Sequence, residues 1–562
     1  MAKFSTKKSR SVVHFDHNHI AAVSVLFLLC LYLLASSIAT TWTVPSALEY
    51  HAFAHVPTTS ERSLFDSAAT EAAIERITHK FPAHVGQDFE EIDHPGVLFS
   101  NTVPASYPKK ITVPKFWDST AYGPGGARVY LGNYGDRLPT PEEAISVGSW
   151  TNGLETIYIS VASYRDPECG PTIESILARA KHPERIRVAV IDQRDADQDP
   201  EFCGPETPCD QNPNQAYCKW RDQIDIYHTE AKLSVGPVFA RHLGHRMYRG
   251  EYFAMQVDSH IRFIDDWDED IIFQWRSARN EMAVLTTYLS DIIGSIDLKT
   301  NKSKHPGRPI MCESDYEGSG LLKHLRHGQQ PEGPPGIKGQ PTLHPFWAAG
   351  FSFARAHFVI QCPYDQYLPM VFQGEEISMG LRGFSYGYDF YAAERSVCFH
   401  MYAIKENKEK RKLVHLFWEN DGAYGGAERR SMKRLNGIIH FTKDAYDTVD
   451  EKKYGLGKIR DTQKFFDTFG IHTVTQTVEH HLCSFVGKPM MEVFLPHLRP
   501  NRMGINYDEI TFQYVDSTKT AKPVLRQQPP KPVAKLDAIV ATKKFKADMP
   551  SLNALAARKL KG

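Results

Sequence analysis

The stretch Tyr252-Phe253-Ala254-Met255-Gln256-Val257-Asp258-Ser259-His260 decides how this chain reads. An apolar run delivers a carboxylate and an imidazole, two positions apart, to what should be the carboxyl end of a buried strand. In open α/β sheets ligands sit beyond those strand ends. Such a pair suits a divalent cation that keeps open positions for phosphate oxygens. An isolated Asp-x-His also reads as a solvated carboxylate beside a turn-stabilising histidine, so the surroundings must decide. A metal-bound diphosphate at a strand end points to a sugar-nucleotide enzyme.

Working outward, Ile157–Ala162 is a short buried-strand pattern, and Ile173, Ile176, Leu177 and Ala180 recur at helical spacing. Ile186–Ile191 is the next strand. Strand, helix and strand in this order make a βαβ unit, hence a parallel sheet with a right-handed crossover. A loop rich in Asp, Pro, Gln and Cys follows at 192–218, then a strand at Ile224–Tyr227, a helix from about Pro237 to Tyr248, and a strand at Met282–Thr287. Gly and Pro crowd 328–341, which reads as a surface loop able to act as a lid. No internal repeat is evident.

The chain has 562 residues, too long for one compact core by the usual prior of roughly 100–200 residues per domain. Lys+Arg and Asp+Glu balance at 66 each, which argues against nucleic acid as the main partner. Cys203, Cys209 and Cys218 lack the spacing of a zinc site; in a lumenal protein some of the cysteines could be disulfides, with the pairing left open.

No Lys, Arg, Asp or Glu occurs between His17 and Val44, and Ile20–Trp42 is long enough to cross a hydrocarbon layer of about 30 Å. Lys3, Lys7, Lys8 and Arg10 precede it, so the positive-inside rule keeps the amino end cytoplasmic and sends the remainder into the lumen. A cleaved signal peptide is the competing reading, with Ala35-Ser36-Ser37 as its cleavage site. The sequon Asn301-Lys302-Ser303 fits lumenal exposure. The expected organisation is a cytoplasmic tail (1–19), a signal anchor (20–42), a stem and lead-in (43–150) with a helical pattern near Leu64–Ile77, a catalytic domain (151–473), an extension (474–519) and a basic, disordered tail (520–562).

Four segments extend this reading: SVASYRDPECGPTIESILARAKHPERIRVAV (160–190), GPVFARHLGHRMYRGEYFAMQVDSHIRFIDDWD (236–268), FWAAGFSFARAHF (346–358) and FQGEEISMGLRGFSYGYDFYAAERSVCFHMY (372–402). With YGLGKIR (454–460), they resemble the retaining polypeptide and hydroxyproline α-N-acetylglucosaminyltransferases, which include protozoan mucin-type and ubiquitin-ligase-subunit enzymes. The layout is more distantly similar to mucin-type GalNAc transferases. The resemblance implies an α/β GT-A nucleotide-diphospho-sugar transferase fold, Mn²⁺ or Mg²⁺, UDP-GlcNAc as donor and a polypeptide hydroxyl as acceptor.

It also implies residue roles. Asp258, His260 and His400 are the expected metal ligands, with His415 as substitute for His400. Ser163, Tyr164 and Arg165 occupy the nucleotide-recognising turn; Arg165 could instead pair with Asp166 or Glu168. Asp192 could accept from uracil or ribose, or cap its loop. Arg241, one turn into its helix, could fork onto phosphate or form an ion pair. Ser259 could touch ribose. Ala349 and Gly350 suit close backbone approach to a sugar. Gln373–Glu376 resembles the acidic motif that holds sugar hydroxyls and faces the acceptor, so Glu375 and Glu376, with Asp258, are the expected catalytic residues. Glu375 is the better donor-sugar contact, Glu376 pairs with Arg382 or merely begins the helix through Met379, and neither is a nucleophile. Trp267 should pack the motif loop, with Asp268 able to orient groups behind the metal.

The expectation is therefore a type II Golgi membrane enzyme, its catalytic domain lumenal, with the endoplasmic reticulum not separated from the Golgi by sequence. Ser/Thr and hydroxyproline acceptors are not separated either. Alternatives are another UDP-sugar such as UDP-GalNAc, a hydrolase using Glu375 and Glu376, and a silent membrane-anchored sugar-binding protein. Adjacent helical residues point about 100° apart and do not straddle a glycosidic bond as hydrolase pairs do.

Overall fold

A computed structural model describes residues 88–117, 135–304, 308–327, 339–479 and 486–510, with short pieces at 332–333, 482–484, 512–514 and 525–527. The expected anchor, the helical pattern at 64–77, most of the Gly/Pro loop and nearly all of the basic tail lie outside these residues. Among the described residues no helix is long and apolar enough to cross a membrane.

The architecture is mixed α/β. Strands β1 (Ile157–Tyr164), β2 (Ile186–Arg194) and β4 (Phe253–Asp258) are almost wholly buried, as central parallel strands must be when both faces are covered. The chain runs from β1 through helix α1 (Cys169–Arg179) to β2, the expected βαβ unit. Strand β3 (Ile224–Glu230) then pairs parallel to β2 at the sheet edge. Helix α2 (Pro237–Arg246) returns the chain to β4, parallel to β1 on its other side with Ala162 opposite Asp258.

Beyond β4 the sheet changes direction. The short β5 (Ile261–Phe263) leaves it, helix α3 (Trp267–Ser277) covers it, and β6 (Ala283–Thr286), β7 (Thr342–Leu343), β8 (Phe351–Arg355) and β9 (Asp389–Ala392) complete it. The spatial order is β7-β9-β6-β8-β4-β1-β2-β3, with β8 antiparallel to both β4 and β6. Helix α4 (Glu375–Ser385) precedes β9, and β10 (Cys398–His400) pairs antiparallel to β5 with His400 opposite Ile261.

β2 runs three residues further than the hydrophobic pattern predicts, because Gln193 and Arg194 still find backbone partners on β3. Helix α2 lies close on β1: a Cβ on Gly244 would fall 2.2 Å from Ser160 Oγ. Trp267 is fully buried and donates Nε1 to Ile176 O at 3.0 Å. Asp268 does not reach the metal side; it binds Arg185 at 2.6 and 2.9 Å and caps the Lys181 amide. Phe99 and Val113 from the lead-in, and Met490, Phe494 and Tyr507 from the extension, are buried in the same body.

Among the described residues six cysteines form disulfides: Cys169–Cys203, Cys209–Cys218 and Cys312–Cys483. The first pins the 192–218 loop to the start of α1, the second closes a turn within that loop, and the third ties the extension to the region before β7. Cys362 and Cys398 are free and buried.

Candidate metal centre and cleft

The sheet's central strands end in a cleft of about 1030 Å³, lined by residues of β1, β2, α2, β4, α4 and the 400–418 segment. Asp258, His260 and His400 meet at its floor, with one ligand atom from each lying within 4.8 Å of the others. The Nε2 atoms of His260 and His400 are 2.8 Å apart, and His400 Nε2 is 3.4 Å from Asp258 Oδ2. Bonds of about 2.1 Å at right angles put neighbouring ligand atoms about 3 Å apart, so these three fit one divalent ion.

His260 and Asp258 are held from behind, whereas His400 Nδ1 has no hydrogen-bond partner among the described residues. Asp166 Oδ2 accepts from His260 Nδ1 at 2.8 Å, which leaves the Nε2 lone pair facing His400. Ser259 Oγ donates to the same oxygen at 3.0 Å, and Arg411 donates to both Asp166 oxygens at 2.9 and 3.0 Å. Arg241 donates to Asp258 Oδ1 at 2.7 Å and to both Glu375 oxygens at 2.6 Å. Gly350 lets the chain before β8 approach: a Cβ there would lie 2.9 Å from Asp258 Oδ2.

The electrostatics follow from these contacts. Burial would raise the Asp258 pKa, but the His400 hydrogen bond and the Arg241 charge hold it well below the usual carboxylate range. Asp166 is likewise depressed against burial, by His260 and Arg411. Burial lowers His400, and neighbouring His260 lowers it further, which keeps the imidazole neutral and able to ligate. Burial raises Glu375 despite Arg241.

Other expected residues fall differently. Tyr164, Arg241, Ser259, Ala349, Gly350, Glu375 and Glu376 line the cleft. Arg165 does not; it is bidentate to Asp199 at 2.8 Å and donates to Glu419 at 2.9 Å, neither of the pairings read from sequence. Asp192 is buried against His228 Nδ1 at 2.9 Å, while its neighbour Gln193 faces the cleft, braced by Ser234 Oγ at 2.6 Å. Ser163 is fully buried behind the cleft, its carbonyl accepting from Gln193. Arg241 is no exposed phosphate clamp but a buried bridge between two carboxylates. Arg382 does not pair with Glu376; it donates to the carbonyls of Pro363 and Gly455. Glu376 instead accepts from the Tyr288 hydroxyl and, at 2.9 Å, from the Ala349 amide. His415 lines the cleft outside the three-ligand cluster and binds Glu419 at 2.8 Å.

Asp166, Arg411, Tyr288 and His327 were not singled out as cleft residues from sequence. The available signals were weak: Asp166 lies two residues past β1, and Arg411 sits in the basic run Lys408–Lys412.

Among solved structures, the chain is similar to GalNAc-T7, crystallised with UDP, GalNAc and Mn²⁺, at 13% identity and TM-score 0.34 over 69% of this chain and 71% of that one. It is also similar to S. aureus TarS 1-349 in complex with UDP-GlcNAc, at 12% identity and TM-score 0.28 over 57% of this chain and 81% of that one. No curated protein matches. A sequence profile described as Glycosyltransferase (GlcNAc) matches residues 156–207 and 196–475, which together span the sheet, the cleft and all three clustered ligands. The match extends over more than half of the chain, and the protein belongs to the Glycosyltransferase (GlcNAc) family.

Proposed function

We propose that this chain transfers GlcNAc from UDP-GlcNAc to a hydroxyl of a polypeptide, with retention of anomeric configuration. The observation that carries the reading is the convergence of Asp258, His260 and His400 at the end of a central strand, in a glycosyltransferase-family chain. Two imidazoles and one carboxylate make a softer donor set than Mg²⁺ prefers, so Mn²⁺ is the better fit. When bound, the ion would neutralise the diphosphate and favour its departure.

The protein's own groups supply position. Asp166 fixes the His260 tautomer, and Arg241 fixes the Asp258 rotamer. The nucleotide would lie over β1 and β2 against Tyr164, Gln193 and Gly236, which line that side of the cleft. In the transfer the bond from sugar C1 to the β-phosphate oxygen breaks, and a bond from C1 to the acceptor oxygen forms on the same face. The acceptor proton passes to the departing β-phosphate. No carboxylate nucleophile is needed: Glu375 is gripped by Arg241, and Glu376 by Tyr288 and the Ala349 amide. Those contacts also speak against a two-carboxylate hydrolase.

Three disulfides among the described residues support an oxidising compartment, and with the apolar segment at 20–42 they favour a Golgi enzyme anchored as a type II membrane protein. The test is a donor screen of the chain lacking residues 1–42, with Mn²⁺ and with Thr-, Ser- and hydroxyproline-containing peptides. GlcNAc transfer in preference to GalNAc and glucose is expected. Absence of transfer from every UDP-sugar would reject the reading.

A further inference from the structure

The hairpin Ser314–Glu317 and His324–His327 carries three residues into the cleft, Leu325, Arg326 and His327. The His327 side chain is 1% exposed and lies tilted on Phe346, ring centroids 4.4 Å apart. Neither ring nitrogen has a hydrogen-bond partner among the described residues, and Nδ1 stops 3.5 Å from Glu376 Oε2. Buried polar groups are nearly always satisfied, so an enclosed imidazole with no hydrogen bond at either nitrogen, and only the Glu376 carboxylate within ion-pair reach, marks a place for a ligand's polar group. Pro309 and Leu325 add an apolar wall beside it, and the Tyr288 hydroxyl stands on Glu376.

The order of strands says which part of a ligand reaches this corner. Tyr164 and Gln193 line the cleft over β1 and β2, Asp258 ends β4, and Tyr288 and Ala349 lie beyond it beside β6 and β8. A nucleoside diphospho-sugar is a linear molecule of base, ribose, diphosphate and sugar. With its diphosphate at Asp258, His260 and His400, and its base over β1 and β2, the sugar falls against His327.

We propose that His327, with Tyr288, Pro309, Leu325 and Glu376, forms the subsite for a 2-acetamido group on the donor sugar. This rests on the UDP-sugar reading above. His327 donates a hydrogen bond to the acetamido carbonyl oxygen, the Glu376 carboxylate accepts from the amide N–H with its remaining lone pairs, and the methyl packs on Pro309 and Leu325. A 2-hydroxyl is too short to span from sugar to imidazole and leaves the ring unsatisfied. His327 is then a specificity-determining residue, distinct from the groups that hold the metal.

The experiment compares kcat/KM for UDP-GlcNAc and UDP-glucose, with Mn²⁺, in the parent and in His327→Phe and His327→Gln. UDP binding by calorimetry reports whether each variant keeps its cleft. The preference for UDP-GlcNAc is expected to fall about tenfold in His327→Phe and to recover in part in His327→Gln, which restores a donor. UDP, which lacks the transferred sugar, should bind all three alike. A parent that prefers UDP-GlcNAc and variants that bind UDP yet keep that preference would overturn the subsite while leaving the transferase reading intact. A parent that turns over no UDP-sugar would sink both. If His327→Phe does not fold, the milder His327→Gln decides, since an acetamido contact predicts a raised KM for UDP-GlcNAc and a structural role does not.

Discussion

Asp166 braces the candidate metal site as the acceptor for His260 Nδ1 at 2.8 Å. Asparagine there keeps the shape but weakens the acceptor and frees the imidazole to place its proton on Nε2. Asp166→Asn is expected to lower Mn²⁺ affinity about 10–100-fold, read from a Mn²⁺ titration of UDP binding; an unchanged affinity would dismiss the orienting role. Gly350→Ala attacks the same centre by volume, since its Cβ would stand 2.9 Å from Asp258 Oδ2. Its metal affinity should fall about tenfold or more while the melting temperature stays close to the parent's, because a displaced ligand in a folded chain is the expected state. At this scale the sequence was readable where a side chain sits on a strand end, as at Asp258 and His260. Asp166 and Arg411 escaped because they meet across 245 residues, and no periodicity links them. Arg165 and Asp192 misled for a related reason: a charge at a strand end looks the same whether it faces a ligand or a neighbouring loop.

Elements were more legible than contacts. β1, β2 and β4 are near-continuous apolar runs, and α1 and α2 carry helical spacing, so local pattern and final structure agree. The two-residue β7 and the three-residue β5 and β10 could not be read, because such short strands exist only through their partners. Packing between elements gives a direct test at Gly244, where α2 meets Ser160 on β1. Gly244→Ala gains helix propensity but forces the helix off the sheet. A net loss of about 1–3 kcal/mol, measured as a lower denaturant midpoint at unchanged slope, is expected. A stabilised variant would mean that the two layers give more easily than their spacing suggests.

The whole molecule is braced by disulfides and sensitive to both reduction and acid. Cys312–Cys483 closes a span of 171 residues, so Cys312→Ser with Cys483→Ser should cost on the order of 4–5 kcal/mol of stability, seen as a lower melting temperature. His245 and His344 are buried, and burial lowers both from 6.5 to about 3. Each Nδ1 accepts a backbone N–H, from Tyr364 and Met311, a contact that protonation removes. The unfolded chain therefore binds protons that the folded chain refuses. Stability is full above pH 6.5 and is lost as pH falls toward 3, by about 1.4 kcal/mol per pH unit for each histidine. Thermal melts at pH 7.5 and 5.0 should differ accordingly, and equal melting temperatures would contradict this. The β5–β10 ribbon carries a temporal consequence as well. His400 reaches His260 across 140 residues, so a growing polypeptide that has already completed its first βαβ unit still lacks one of the three clustered side chains. During synthesis the cluster stays incomplete until that late histidine emerges and docks.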